Sequence, residues 1–112
     1  MTTHRGFELH PAAAQDITDI WEYIAGDNPL AARRVREAIL EAIRKLVHFP
    51  QQGHRRSDLT ARSLRFIRVF DYLIAYAPEE IPLWVIAVLH GKRNPRVMAA
   101  ILRGREEHQP PT

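Results

Sequence analysis

The sequence predicts an α+β fold, an N-terminal strand and a helical hairpin packed on a small antiparallel sheet, with a short C-terminal helix. The first half carries two back-to-back segments whose apolar residues recur every three or four positions. The second half carries three short apolar runs with turn residues between them. Two Asn-Pro steps, Asn28-Pro29 and Asn94-Pro95, each pair a helix-capping residue with a proline suited to the first helical turn.

From the N-terminus, Phe7-Glu8-Leu9-His10 alternates apolar and polar residues, as a half-buried strand does, and Pro11 fits the opening turn of a helix. Ala13, Ile17, Ile20 and Ile24 make an amphipathic stripe through Ala25, and Gly26 can end that helix. Asn28 and Pro29 start the next one. It reads to about His48, with Ala32, Val35, Ile39, Ile43 and Leu46 as its core stripe and Phe49-Pro50 as its end. Glu41 and Lys45 are spaced for a favourable pair, but such a pair contributes only about 0.2 to 0.5 kcal/mol. Burial of the stripe must therefore hold the hairpin.

Residues 51–61 are polar and form a surface loop of ordinary length. Strands are expected at Leu64 to Val69, Tyr72 to Ala77 and Leu83 to His90, and their short connections imply antiparallel neighbours. The last two are apolar on both faces and belong at the centre of the sheet, one face of which the hairpin covers. After Asn94-Pro95, the residues Val97, Met98, Ile101 and Leu102 give a short helix its apolar side before Gly104. A single domain is expected over residues 1–104, with residues 105–112 as a flexible tail.

At 112 residues the chain can bury a core without staples. It contains no cysteine, which excludes disulfides, thiol nucleophiles and thiolate metal sites, and suits a reducing cytoplasm. No apolar run approaches the roughly 20 residues of a membrane span, and the start has no secretory pattern, so a cytoplasmic location and no membrane partner are expected. The five glycines are scattered, with no phosphate-binding loop or dinucleotide fingerprint, so no cofactor is expected. Ser57 and Ser63 lie near nothing resembling a nucleophile, base and orienter. Asp16, Asp19 and Glu22 read as a solvated helix face, and no metal site is expected.

The net charge of +3 is modest but unevenly placed. Up to Asn28 carboxylates dominate, whereas Arg55, Arg56, Arg62, Arg65 and Arg68 crowd one segment and Lys92, Arg93 and Arg96 follow the last strand. That distribution favours an anionic partner. Arg65 and Arg68 stand three apart on a strand and so point to opposite faces. Charge on such a strand also protects an open sheet edge from aggregation. Trp21 and Tyr23, two apart on a helix, cannot both enter the Ile17, Ile20 and Ile24 stripe. One of them is a candidate protein-binding anchor, though packing against the neighbouring helix is the expected fate.

Trp21-Glu22-Tyr23-Ile24, then Asn28-Pro29 running into Ala31-Ala32, then Leu46-Val47-His48-Phe49-Pro50 with Gly53, resemble the helical hairpin of the RelE/ParE toxin superfamily. Tyr72 to Tyr76 followed by Val85-Ile86-Ala87-Val88-Leu89-His90-Gly91-Lys92-Arg93 resemble its paired strands and basic exit. The resemblance runs from about Phe7 to Leu102. It implies the toxin of a type II toxin-antitoxin system, a growth inhibitor of the kind that stabilises plasmids, neutralised by a cognate antitoxin in a hetero-oligomer. It implies one of two targets. RelE-like members cut messenger RNA on the ribosome, and ParE-like members inhibit DNA gyrase by binding.

Ribonucleolytic transesterification needs a base for the ribose 2′-hydroxyl, an acid for the leaving oxygen and cations for the phosphorane. Arg65, Arg68, His90 and Arg93 are the candidates. In RNA-cleaving members the resemblance leads one to expect a tyrosine or histidine soon after the last strand. Here Asn94-Pro95-Arg96-Val97-Met98 follows Arg93, and no histidine or tyrosine occurs before His108. The ParE-like branch, a binding inhibitor without catalytic residues of its own, is therefore the expectation. Its partner-binding residues would come from Trp21, Arg55, Arg56, Arg62, Arg65, Arg68, Lys92, Arg93 and Arg96.

Overall fold

The computed structural model describes residues 6–105. In order, β1 (Phe7–Leu9), α1 (Pro11–Ala25), α2 (Pro29–His48), β2 (Arg65–Val69), β3 (Tyr72–Ala77), β4 (Leu83–His90) and α3 (Pro95–Arg105) build an α+β fold. The capping signals act as the sequence suggests. Asn28 Oδ1 accepts from Ala31 N at 3.0 Å, and Asn94 Oδ1 accepts from Arg96 N at 2.8 Å. α1 opens at Pro11 as expected, with His10 Nδ1 accepting from Ala12 N at 2.9 Å ahead of it.

The sheet order is β1-β4-β3-β2. β2 with β3 and β3 with β4 are antiparallel. β1, which the sequence leaves without an assigned partner, pairs with β4 in parallel, Phe7 opposite Leu83 and Leu9 opposite Val85. β3 and β4 are thus central, which is why their residues are apolar on both faces. One face carries Ala13, Ile17, Ile39, Ile43 and Leu46 of the hairpin against Ile74, Tyr76, Val85 and Val88. On the other, Met98 and Leu102 of α3 join Leu59, Leu64 and Phe66 over Leu73, Trp84, Ile86 and Leu89. Full burial of an Ile or Leu contributes about 1.5 to 3 kcal/mol, so these two layers dominate every surface pair. Glu41 illustrates the difference: it meets Arg44, at 3.3 Å, instead of Lys45, with both side chains 59% exposed.

A register shift between Ala75 and Tyr76 skips Ile86, since Ala75 faces Ala87 while Tyr76 faces Val85. Ile86 and Ala87 consequently point to the same face, and the strand's hydrogen-bonding parity inverts beyond them. The outward amide of Val88 lies past the end of β1, which is only three residues long. Asp16 reaches it from α1, Oδ2 accepting from Val88 N at 2.9 Å. Arg105 completes the clasp, donating to Asp16 Oδ2 at 2.6 Å, to Asp16 Oδ1 at 3.0 Å and to Ile86 O at 3.0 Å. Two expectations are corrected here. Asp16 is 15% exposed and structural, not part of a solvated face, and Arg105 is the last residue of α3 rather than the first of a tail. Gly104 is inside that helix, and the remainder of the expected tail, residues 106–112, lies outside the described residues.

β2 and β3 are joined by a two-residue turn, Phe70-Asp71. Phe70 takes φ 55°, the left-handed region, where a bulky side chain costs about 1 to 2 kcal/mol relative to glycine. In hairpin turns with positive φ at the first central position glycine is usual.

Candidate partner-binding surfaces

The basic residues singled out in the sequence divide into two separate groups. Around the loop after α2, several are used internally. Arg56 grips Asp58 with two bonds of 2.9 and 2.8 Å, and that hydrogen bonding holds the Asp58 carboxyl below the usual carboxylate range. Arg65 donates to Gly53 O at 2.7 Å and to Gln51 O at 3.4 Å. The same loop is pinned by Tyr76, which is fully buried: its hydroxyl donates to Pro50 O at 2.7 Å and accepts from Gly53 N at 2.9 Å. Burial pushes the Tyr76 phenol up, against the smaller opposing pulls of the Gly53 amide and the Arg65 cation. Gly53 is required for this approach, because a Cβ there would lie 2.7 Å from the Tyr76 hydroxyl and 2.8 Å from Phe66 O. His54 then bridges to Phe66 with bonds of 2.9 and 2.8 Å, so this stretch of the β2 edge is already paired. Arg55 and Arg62 stand exposed on the loop.

Arg68 belongs to the other group. It faces Leu73 across the sheet, whereas Arg65 faces Tyr76, so the two arginines sit on opposite faces as their spacing requires, and toward opposite ends of β2. The Arg68 guanidinium lies over Gly91, 3.3 and 3.5 Å from where a Cβ would stand. Gly91 N donates to Asp71 O at 2.7 Å, tying the β2–β3 turn to the turn after β4 that carries Lys92, Arg93 and, at the start of α3, Arg96. All four cations are exposed.

His90 closes that turn. Its Nδ1 accepts from Lys92 N at 3.2 Å, its carbonyl accepts from Arg93 N at 3.0 Å, and its ring meets Tyr72 edge-on at 5.4 Å. One imidazole nitrogen is thereby committed to local structure, and Arg65 stands at the far end of β2. Of the candidate ribonucleolytic set, Arg68, His90 and Arg93 come together around this turn, and Arg65 stands apart from them. Among the described residues no group of three or more His, Asp or Glu could hold a metal.

Two clefts flank the helices. Between α1, the end of β4 and α3 is one of about 460 Å³, with Asp19, Tyr23, Tyr72, His90 and Arg93 in its lining. Burial, then the charge of Asp71 and the nearness of Tyr23, raises the Tyr72 phenol. The second, of about 650 Å³, lies on the hairpin beside its turn and is lined by Trp21, Pro29, Leu30, Arg33 and Arg36. Trp21 is 39% exposed and Tyr23 84%, so neither is buried in the stripe, and the expectation that the outward one of the pair would pack against the neighbouring helix is corrected for Tyr23. Leu30, 68% exposed beside Trp21, gave no sequence signal, because it follows Pro29 outside the apolar stripe.

The family model for the ParE toxin of type II toxin-antitoxin systems, parDE, matches residues 7–95, which takes in the hairpin and the whole sheet. The chain belongs to the ParE toxin family. Curated relatives include Toxin ParE2 of Mycobacterium tuberculosis, in strains CDC 1551 / Oshkosh and ATCC 25618 / H37Rv. Each is 26% identical over 102 residues, covering 90% of this chain and 95% of the relative. The matched span contains the whole lining of the hairpin cleft and most of that of the other, whose Ile101 and Arg105 lie beyond it. Membership in ParE implies a cognate antitoxin as partner. No helix among the described residues is long and apolar enough to cross a membrane.

Proposed function

We propose that this ParE-family chain arrests growth in the cytoplasm by binding DNA gyrase, without chemistry of its own, and that a cognate antitoxin neutralises it in a hetero-oligomeric complex. The observation that supports the reading is the incomplete set of groups for RNA cleavage, with Arg65 separated from the others and no tyrosine or histidine between Arg93 and His108. His90 has its Nδ1 engaged in its own turn, and Arg65 is held by Gly53 O at the far end of β2 from Arg68 and Arg93. A general base contributes about 10² to 10⁴ in rate, so an enzyme of this class would be expected to hold one in place.

For the antitoxin, the hairpin cleft supports the role of seat. Trp21 and Leu30 offer an apolar floor, and on the rim Arg33 pairs with Glu37 at 3.8 Å while Arg36 is left as the cation for an acidic helix. The purified chain is expected to inhibit DNA supercoiling by gyrase, to leave ribosome-bound message uncut, and to lose its inhibition when the antitoxin is added. Cleaved message with unimpaired supercoiling would overturn the proposal. The same toxin-antitoxin pair would stabilise a plasmid that carries it, measured as retention over generations without selection.

A further inference from the structure

We infer that the Phe70 turn and the cations around it form a contact for a strand of nucleic acid, with an unstacked base lying on the Phe70 ring and phosphates on Arg68, Lys92, Arg93 and Arg96. Three observations carry this. Phe70 is 56% exposed at the tip of a turn whose backbone it strains, so the side chain is presented where neither burial nor conformational preference would place it. Its immediate surroundings are charged: Arg68 and Asp71 are close in the chain, and the Asp71 carbonyl is bonded to Gly91, which precedes Lys92. The described arginines in ion pairs are Arg33, Arg44, Arg56 and Arg105, whereas Arg68, Lys92, Arg93 and Arg96 have no carboxylate partner.

A protein anchor of this kind ordinarily sits in an apolar patch, with charge at the rim. Here an exposed ring stands on a turn tied to one that carries several cations and, beside it, the single carboxylate of Asp71, an arrangement suited to single strands, which are held through phosphates by Lys and Arg and through bases of any identity by an aromatic face. The shared chemistry, a base face and a phosphodiester, is common to single-stranded DNA and RNA. The inference goes beyond gyrase as target and does not require it.

Fluorescence anisotropy of labelled oligo(dT) and oligo(rU) strands, about 16 nucleotides long, tests it with the full chain between about 50 and 200 mM salt. Binding is expected with a log-log salt slope of about −3, since each phosphate contact on a single strand contributes about −0.7. The tighter arm identifies the natural strand. Removing a cation, as in Arg68→Ala or Arg93→Ala, should lower the slope by about 0.7, while Arg34→Ala and Arg44→Ala on the hairpin leave it unchanged. Phe70→Asn should weaken binding about 5- to 100-fold at an unchanged slope, the loss of one stacked base. Because asparagine tolerates the left-handed backbone, that variant should also melt a few degrees higher, which separates lost contact from lost fold. No binding to either strand at the lowest salt would overturn the inference. So would wild-type affinity in Phe70→Asn, or equal slope changes from the hairpin arginines. Gyrase inhibition that persists without any strand binding would overturn it alone and leave the proposed function standing.

Discussion

Replacing Asp16 by alanine tests how α1, β4 and α3 are locked together. The carboxylate serves two groups at once, the Val88 amide at 2.9 Å and the Arg105 guanidinium at 2.6 and 3.0 Å, with both side chains 15% exposed. Losing it leaves the outward Val88 N–H without its acceptor, about 1 to 3 kcal/mol. It also leaves Arg105 with only Ile86 O. Fully buried pairs broken from one side lose about 3 to 5 kcal/mol, but Arg105 ends its helix and can swing toward water, so its share falls well below that range, at about 1 kcal/mol. We expect about 3 kcal/mol in all. For 112 residues the unfolding entropy is about 0.24 kcal/mol per kelvin, which converts this to a fall in Tm of about 12 °C.

The partner substitutions rank the causes. Asp16→Asn keeps an acceptor for Val88 N and should lose about half as much, while Arg105→Ala removes the cation and leaves the Asp16 bond to Val88 intact. Thermal unfolding of these variants and the double variant gives the coupling energy, expected at about 1 to 2 kcal/mol. A Tm for Asp16→Ala within about 3 °C of wild type would refute the reasoning, as would equal losses for Asn and Ala.

Tyr76→Phe removes both hydroxyl bonds to the loop and should cost about 2 kcal/mol in denaturant titrations, with faster hydrogen exchange at the Gly53 amide as the local signature. Tyr72 and Tyr76 are both raised in the fold, so the folded state keeps phenol protons that the unfolded chain loses near pH 10. Stability is therefore full below about pH 10 and declines as pH rises through the folded values, and Tyr76→Phe should flatten that decline in urea midpoints. His90→Ala should leave growth arrest within about twofold of wild type, against the 10² or more expected for loss of a catalytic base; plating efficiency after induction reads the difference. Trp21→Ala should weaken antitoxin affinity about tenfold by calorimetry while the free chain melts within about 3 °C of wild type, because Trp21 is already 39% exposed.

The fold was largely legible because its signals are local. Asn28-Pro29 sets the hairpin, and the stripe from Ala32 to Leu46 states which side is buried. β3 and β4 announce their central place by being apolar on both faces. The parallel pairing of β1 with β4 was not legible, since three residues carry no register information of their own and their partner lies beyond two helices and two strands. The Ile86 bulge was likewise invisible, because the run from Leu83 to Leu89 is uniformly apolar and any parity would suit it. Asp16 and Arg105 were misread for the same reason: a charged residue at helical spacing looks solvated until the bulge 70 positions away supplies an unpaired amide. Of the site, the composition was readable but its partition was not. Nothing local distinguishes Arg65, spent on Gly53 O, from Arg68, left facing outward.

That partition bears on how this ParE-family chain is constructed. The positions that hold the layers together are over-determined: Tyr76 makes two buried bonds, Gly53 admits no Cβ, and Asp16 answers both an amide and a cation. Phe70 is the opposite, a strained and exposed residue held in its turn by the flanking pair Val69 and Tyr72. Strain of about 1 to 2 kcal/mol persists only where its surroundings fix the geometry. The rigidity of the sheet and the clasp beneath it therefore supply what the turn needs to keep its ring outward. The hairpin cleft around Trp21 lies on a different face from Arg68, since the hairpin covers the Tyr76 side of the sheet and Arg68 points to the α3 side. An antitoxin seated on the hairpin alone would leave the Phe70 turn uncovered, so blockade of any target bound at that turn requires a partner chain that extends around the sheet edge. Adding an antitoxin fragment limited to its hairpin-binding helix should then bind the toxin yet fail to restore supercoiling, whereas full restoration by that fragment would place the inhibitory surface on the hairpin itself.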